Sequence, residues 1–582
     1  MSEVPAEWVD ARGDTRSPSA CEISSEQTTS ADLTLLPLGG HRLLLSDTES
    51  DFSGYGDARE FSPVASSEAS CGPHPPVDPA SSYIFALPTE IVGEIFTLLA
   101  SIDAFRTLRS PWTEDDNSAH LGWVIVTHVC QRWRAIAMGQ PALWSTIPAP
   151  PVTPWTHAFL ERVQDAPIAL MLEDRFMRPS ESEAAFVDIM GVVTHRLRVA
   201  SLSGAAALLL AHSIFSRVDT NTHGVRSSLK SLDIRVAYSP SFVFPTAFFT
   251  TLQPPLQRFS IMGCRPRWAD MDFGGLTELH VEMRPTVQMD SEPTERSHSL
   301  AMLDALQRMP ELESLTLINC FFGGHPSPVV RLHVRKLVLG GLGDNCAALL
   351  EHLDIPASTK LSVSCVDRPR HPQQALLTAL AARFGPAHAP AIRTLHITSS
   401  LLYVVIRGWT AQHLEHSEAH DTLDTPDVYI LLFAHNTAYK TKALKAICDV
   451  LHLTALETLY SDFLCDHRDH WGVVHGGFKH CGALRLVKLE ADASFLNAPT
   501  TPSSIEALAC LFPQVRTLVL FIRERRYCEE VDGEHVQKLR VTWRASECRE
   551  LYIYYQGMRD MSLPAIKDEL PGMFSDATNN HG

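Results

Sequence analysis

The sequence predicts an α/β protein in three parts: a polar acidic tail, a small all-α module, and a long irregular solenoid of strands and helices. Three observations carry this. Residues 1–80 hold 14 Asp and Glu against 4 Arg and no lysine, a composition too polar and charged to bury a core. Two apolar stripes of helical period lie between Leu87 and Ile147. Beyond them, a short pattern, apolar-x-x-Leu-x-apolar, recurs to near the end. The predicted boundaries are 1–80 for a disordered tail, 81–148 for the module, and 149–159 for a Pro-rich linker containing APPVTPW (Ala149 to Trp155). The solenoid takes 160–560, and 561–582 is a polar C-terminal tail.

The bulk properties bound the function. A chain of 582 residues, 45% of them apolar, can bury a large core or several. The net charge of −18 disfavours a general role on nucleic acid or an anionic membrane. Of that charge, −10 sits in residues 1–80, which leaves −8 for the other 502. Thirteen cysteines without framework spacing suggest reduced thiols, hence cytoplasm or nucleus. MSEVPAEWVDARGD is not a signal peptide, and no apolar run approaches the ~20 residues of a membrane span. In the tail, Ser17-Pro18, Ser62-Pro63 and the run Ser46 to Asp51 are candidate phosphate acceptors; an unmodified solvated tail is the alternative. The first lysine is Lys230. That reads either as Arg-rich codon usage or as avoidance of a modifiable amine near the module.

The module is read from its periodicity. Thr89 to Leu99 places Ile91, Val92, Ile95, Phe96, Leu98 and Leu99 on one broad apolar face, with Pro88 in the first turn. Val126, Val129, Cys130, Trp133 and Ile136 form a second helical stripe, with Gln131, Arg132 and Arg134 opposite and Gly139 and Pro141 closing the helix. Two short helices bury little surface alone, so a partner is expected to help.

These residues carry a resemblance. Leu87-Pro88-x-Glu90-Ile91-x3-Ile95-Phe96, then Val129-Cys130-x-Arg132-Trp133-Arg134-x-Ile136-Ala137 and Leu143-Trp144, resemble an F-box, and more narrowly the F-box-like proteins abundant in mushroom-forming fungi. The match covers about a tenth of the chain. It departs from the family at a polar insertion, Ser110 to His120, where a short middle helix usually packs. The resemblance implies docking to a Skp-type adaptor, and through it to a cullin-RING ubiquitin ligase. It carries adaptor contact onto Leu87, Pro88, Ile91, Ile95, Phe96, Val129, Cys130, Trp133, Leu143 and Trp144, with Arg132 and Arg134 complementing an acidic partner.

The repeated pattern begins at Leu229, Leu256, Leu276, Leu312, Val334, Ile392, Leu484, Val515 and Cys548, with weaker copies at Leu197, Ser358 and Leu456. Each copy ends in period-2 alternation, so each is a short strand with one face inward. Helical stripes precede several, as in SLAMLDALQRMP before Glu311 and SSIEALACLFP before Gln514. Neighbouring starts lie between 20 residues (Leu256 to Leu276) and 36 residues (Leu276 to Leu312) apart. That straddles the ~20–29 of a leucine-rich repeat. The Asn or Cys of that repeat is mostly missing; Asn319-Cys320 is the nearest approach. The expectation is a degenerate leucine-rich-repeat-like solenoid whose stacked units share a core and whose strands line one concave sheet. The alternative is an ordinary α/β domain. The longest disruption, Ile397 to Leu456, is expected to hold a loop (Trp409 to Asp427) and a strand (Val428 to Phe433).

Motifs for chemistry are missing. There is no G-x-x-x-x-G-K-[ST], G-x-S-x-G or H-E-x-x-H. Gly340-Gly341-Leu342-Gly343 lacks the G-x-G-x-x-G pattern and reads as a turn between repeats. His413, Glu415, His416, Glu418 and His420 form one His-rich segment, and Cys465, His467, His470, His475, His480 and Cys481 another. Neither has a zinc spacing, so no metal and no cofactor is expected. The functional expectation is therefore a non-enzymatic substrate receptor that docks the adaptor and holds an unidentified target protein on the solenoid. A non-ligase repeat scaffold is the alternative, and an unrecognised enzyme is third.

Overall fold

The computed structural model describes residues 83–103, 106–107, 119–120, 122–147, 154–172, 196–204, 228–236, 256–283, 293–321, 328–366, 374–385, 390–400, 403–411, 425–433, 437–463, 478, 481–492, 515–523 and 550–556. All belong to one unit, Ser82–Gly582. The tail over 1–80, the C-terminal 561–582, most of both His-rich segments and the helical stripe before Gln514 lie outside the described residues.

Helix α1 (Thr89–Ile102) and helix α2 (Gln131–Met138) form the N-terminal part, with 3-10 turns at Gly122–His128 and Pro141–Trp144. Behind them runs a 16-stranded, mostly parallel sheet. Its strands, in chain order, are β1 (Thr146–Ile147), β2 (Ile168–Leu172), β3 (Leu197–Ser203), β4 (Ser231–Arg235), β5 (Arg258–Met262), β6 (Glu278–Glu282), β7 (Ser314–Ile318) and β8 (Lys336–Leu342). There follow β9 (Lys360–Val366), β10 (Thr394–Ser399), β11 (Tyr403–Trp409), β12 (Val428–Phe433), β13 (Thr458–Phe463), β14 (Leu486–Asp492), β15 (Thr517–Arg523) and β16 (Glu550–Gln556). Among the described residues, a four-residue helical turn, Tyr83–Ala86, precedes α1, and further helices are α3 (Pro154–Val163), α4 (Pro293–Gln307), α5 (Gly343–His352), α6 (Gln374–Phe384) and α7 (Thr437–Val450).

All twelve copies of the sequence pattern become strands, and the pattern sets their register. From Leu229 to Ser358 the central apolar residue of each copy stands opposite that of the next: Leu232, Phe259, Leu279, Leu315, Leu337 and Leu361 form one continuous rung. The residue two further on forms the next rung, Ile234, Ile261, Val281, Leu317, Leu339 and Val363. All are buried, because one face of every strand points at the helical side and period-2 alternation sends the other face out. The first apolar residue of a copy turns the chain into its strand. Leu276, Leu312, Leu456 and Leu484 each donate their N–H to the carbonyl three residues back. The next residue's carbonyl then accepts from the neighbouring copy, as Gln257 does from Thr277 and Glu278 at 2.8 and 3.0 Å. This is a leucine-rich-repeat-like α/β solenoid.

Strand exits also share a device. Gly204, Gly263 and Asn319 follow β3, β5 and β7 with φ of 91°, 83° and 56°. Each N–H reaches the next strand, Gly263 to the Glu282 carbonyl at 2.8 Å and Asn319 to the Gly340 carbonyl at 2.8 Å. A Cβ on Gly263 would lie 2.2 Å from the Val236 carbonyl oxygen. Asn319 tolerates the left-handed region because its side-chain amide donates to the Met283 carbonyl at 2.9 Å. The lone Asn of the repeat consensus is thus an exit cap.

Three expectations change. Gly340-Gly341 is not a turn: both lie in β8, and a Cβ on Gly340 would press on Ile318 at 3.0 Å. The expected disruption holds a meander. β12 is the strand expected from Val428 to Phe433, and β11 runs antiparallel between it and β10, so the order is β9-β12-β11-β10-β13. Finally, the sheet starts before residue 160. β1 leaves the helical part directly and pairs with β2, and α3 begins inside the stretch expected as a linker.

One packing detail carries a pH prediction. A 3-10 turn, Trp268–Asp270, sits between β5 and β6. Buried Trp268 donates its indole N–H to His298 Nε2 on α4 at 2.9 Å. Arg308 bonds the Trp268 and Met271 carbonyls at 3.2 and 3.1 Å. Burial, aided by the charge of Arg265, lowers the His298 pKa from 6.5 to about 4. The folded chain keeps this imidazole neutral while the unfolded chain takes up a proton. Stability is therefore expected to fall from about pH 6.5 to pH 4 and then level off. Thermal unfolding of His298→Gln should show a shallower slope in that window than the wild type.

Candidate interaction site on the N-terminal helices

Helix α1 has three sides. Pro88 is its N-cap residue and accepts the Val92 N–H at 3.1 Å, so the proline stands one place earlier than the expected first turn. Val92, Gly93 and Phe96 are buried. Gly93 lies so close to Gln140 that a Cβ there would meet its side-chain nitrogen at 2.0 Å. Glu90, Glu94, Thr97 and Ser101 make a polar edge. The third side is apolar and exposed: Ile91 at 47%, Ile95 at 37%, Leu98 at 61%, Leu99 at 36% and Ile102 at 77%. Their spacing of i, i+4, i+7, i+8 and i+11 is one continuous helical stripe.

The second expected helix is split. Val124-Ile125-Val126-Thr127 is β-branched throughout and adopts a 3-10 turn. Cys130 is extended, with φ −156° and ψ 168°, and its sulfur accepts the Trp133 N–H at 3.4 Å, starting α2 afresh. The Val126-to-Ile136 stripe is therefore broken at the cap. Val126 and Ile136 point inward, while Ile125 and Val129 stand 59% and 57% exposed. The Trp123 N–H bonds the Asp103 carbonyl at 2.9 Å, which ties this turn to the α1 end bearing Ile102. Among the described residues, the insertion is spanned by a two-residue antiparallel pair, Arg106–Thr107 with Ala119–His120.

An aromatic core fixes these pieces. Trp144 meets Trp123 and Phe159 edge-on, both at 5.0 Å between ring centres. Its indole N–H bonds the Ala137 carbonyl at 2.9 Å, and Arg162 sits 4.4 Å over its ring. Phe96 meets Trp133 at 5.3 Å. Because Phe159 and Arg162 lie on α3 and Trp144 leads into β1, this core continues into the first strands of the sheet.

The ten residues carried over by resemblance separate by burial. Pro88, Ile91, Ile95 and Val129 are exposed; Leu87, Cys130 and Trp133 are half-buried; Phe96, Leu143 and Trp144 are buried. A residue with no exposed surface cannot meet a partner without unfolding, so the last three hold the surface and do not form it. Arg132 and Arg134 are turned to internal carbonyls: Arg132 donates to Leu87, and Arg134 to Thr127 at 2.7 Å. Leu98, Leu99, Ile102 and Ile125 are exposed apolar residues beside them that the resemblance does not include. The signal for Leu98 and Leu99 was present in the helical stripe, but the family motif stops at Phe96.

Among the described residues, outward positions of the sheet such as Ser260, Thr316 and Ser362 are half-exposed. Among the described residues, no group of three metal-ligating side chains occurs. Burial raises the Cys264 and Cys481 pKa values to about 12 and about 11, so these thiols stay protonated and poorly nucleophilic. No helix among the described residues is long and apolar enough to cross a membrane.

No family model matches the chain, and no curated protein matches it. Among solved structures it is similar to a leucine-rich repeat-containing protein of Legionella pneumophila, at 14% identity over 65% of this chain and 90% of that one, with a TM-score of 0.24.

Proposed function

We propose that this chain is a protein-interaction scaffold of the F-box receptor kind. The exposed stripe of α1 docks a Skp-type adaptor, the adaptor links to a cullin-RING ubiquitin ligase, and the solenoid presents a target protein for ubiquitin-dependent degradation. In this reading the chain performs no bond chemistry, needs no cofactor, and works in the cytoplasm or nucleus.

The supporting observation is the division of α1 into two apolar faces. Val92 and Phe96 supply what the local core needs. Ile91, Ile95, Leu98, Leu99 and Ile102 add a second apolar face that the fold leaves in water. Large contiguous apolar exposure of this kind marks an interaction site. A parallel sheet with one open face supplies the second surface that a receptor requires.

The test uses the purified full chain mixed with a Skp-type adaptor, with and without cullin. A stable complex containing all three is the expected result. Adaptor binding that always excludes cullin gives the alternative, a non-ligase scaffold. Binding of neither removes the proposal.

A further inference from the structure

The outer sheet face changes character along its length. One rung of outward positions runs Ser201, Asp233, Ser260, His280, Thr316, Val338 and Ser362, then Tyr429, Arg407, His396, Tyr460 and Lys488. Its first part carries Asp233 and His280, each near a side chain of its own strand. Asp233 accepts from Arg235 Nε at 2.9 Å, and His280 lies 3.7 Å from Glu282. From Ser362 to Lys488 the rung holds no carboxylate. It holds two permanent cations, a histidine and two tyrosines, all half-exposed.

The meander creates this group. β10, β11 and β12 bring His396, Arg407 and Tyr429 side by side, and β13 and β14 add Tyr460 and Lys488. The cations are arranged around the rings. The Arg407 guanidinium lies 5.8 Å from the centre of Tyr429, and Lys488 Nζ lies 4.9 Å from that of Tyr460. His396 bridges them, 3.3 Å from Arg407 Nη1 and edge-on to Tyr460 at 6.0 Å. Flanking rings hold long cationic side chains in place, which lowers the ordering cost of binding an anion.

We propose that the row Tyr429, Arg407, His396, Tyr460 and Lys488 binds an extended acidic peptide lying across β12 to β14. The spacing supplies the class. Arg407 and Lys488 stand three strand spacings apart, about 14 Å at ~4.8 Å each. An extended chain rises ~3.4 Å per residue, so about four residues bridge that gap. Alternate side chains face the sheet, so carboxylates at i and i+4 meet Arg407 and Lys488, and one at i+2 meets the His396–Tyr460 region. Single-stranded nucleic acid fits less well. It requires open ring faces for base stacking, but each tyrosine here already carries a cation.

This inference builds on the sheet face as the target-holding surface and is independent of the adaptor. The experiment is fluorescence anisotropy on the full chain with three labelled probes: a ten-residue peptide alternating Asp and Ser, its Asn–Ser counterpart, and a ten-nucleotide oligothymidine. The Asp–Ser peptide is expected to saturate and to weaken with salt, and the Asn–Ser peptide is expected not to bind. Arg407→Gln and Lys488→Gln should each weaken binding about tenfold. Arg258→Gln, on the exposed Arg258–Glu278 pair, should leave it unchanged. Lys488→Gln stands at the row's end and serves as the deciding variant if Arg407→Gln fails to fold. The proposal is overturned if the Asp–Ser peptide does not saturate, if the Asn–Ser peptide binds equally, if binding survives Lys488→Gln, or if oligothymidine binds at least as tightly. A chain that binds the adaptor but not the peptide loses this inference alone.

Discussion

Leu315→Asp is expected to unfold the middle of the solenoid. Leu315 is fully buried in β7, paired with Leu279 on one side and Leu337 on the other. A carboxylate there stands between two buried leucines with no cation in the rung, and an unpaired buried charge costs several kcal/mol. Each repeat relies on its neighbours for its core, so the damage spreads to both sides. The comparison is Thr316→Asp, one residue on and half-exposed on the outer face, which is expected to shift stability by less than about 0.5 kcal/mol. Denaturant titration of the two variants measures the difference. Equal stability would mean that the strand faces are assigned the wrong way round.

Trp144→Ala is expected to cost about 3–5 kcal/mol, in the range for removing a buried aromatic. Besides its two edge-on ring contacts, Trp144 bonds the Ala137 carbonyl and carries Arg162 over its face. Its loss leaves a cavity where α2, α3 and β1 meet. The N-terminal helices and the first strands should therefore lose protection together in hydrogen exchange. If the helices open while β2 and β3 stay fully protected, the helical part and the sheet are energetically separate.

The repeat was legible because its chemistry is local. An apolar residue that turns the chain, a second apolar residue, mostly Leu, three positions on and an alternating strand recur along the chain, and the register follows from pairing like with like. What escaped lacks that signature. Ile168 to Leu172 has no preceding turn pair, and β11 runs against the repeat direction, so neither resembles a copy. The split of the second helix was hidden because Val126 to Ile136 has helical spacing; the break comes from the extended cap at Cys130. On α1 the difficulty was too much signal. Six apolar residues in eleven positions mark two faces as readily as one, and only packing against Gln140 and Trp133 shows that Val92 and Phe96 go inward. The outer-face row was invisible because its five residues come from five strands spread over Arg407 to Lys488 and its neighbourhood at His396, brought together only by the meander.

The outward stripe of α1 is proposed to dock the adaptor and to have no duty in the fold. Calorimetric titration of a Skp-type adaptor into the wild type and into the double variant Ile95→Asp, Leu98→Asp tests it most directly, with thermal unfolding as the folding control. Both side chains are exposed in the free chain, so the unfolding midpoint should not move. Each buried aliphatic lost from an interface costs ~1–3 kcal/mol, so the pair is expected to weaken binding about 100-fold. Wild-type affinity in a folded double variant would contradict the claim.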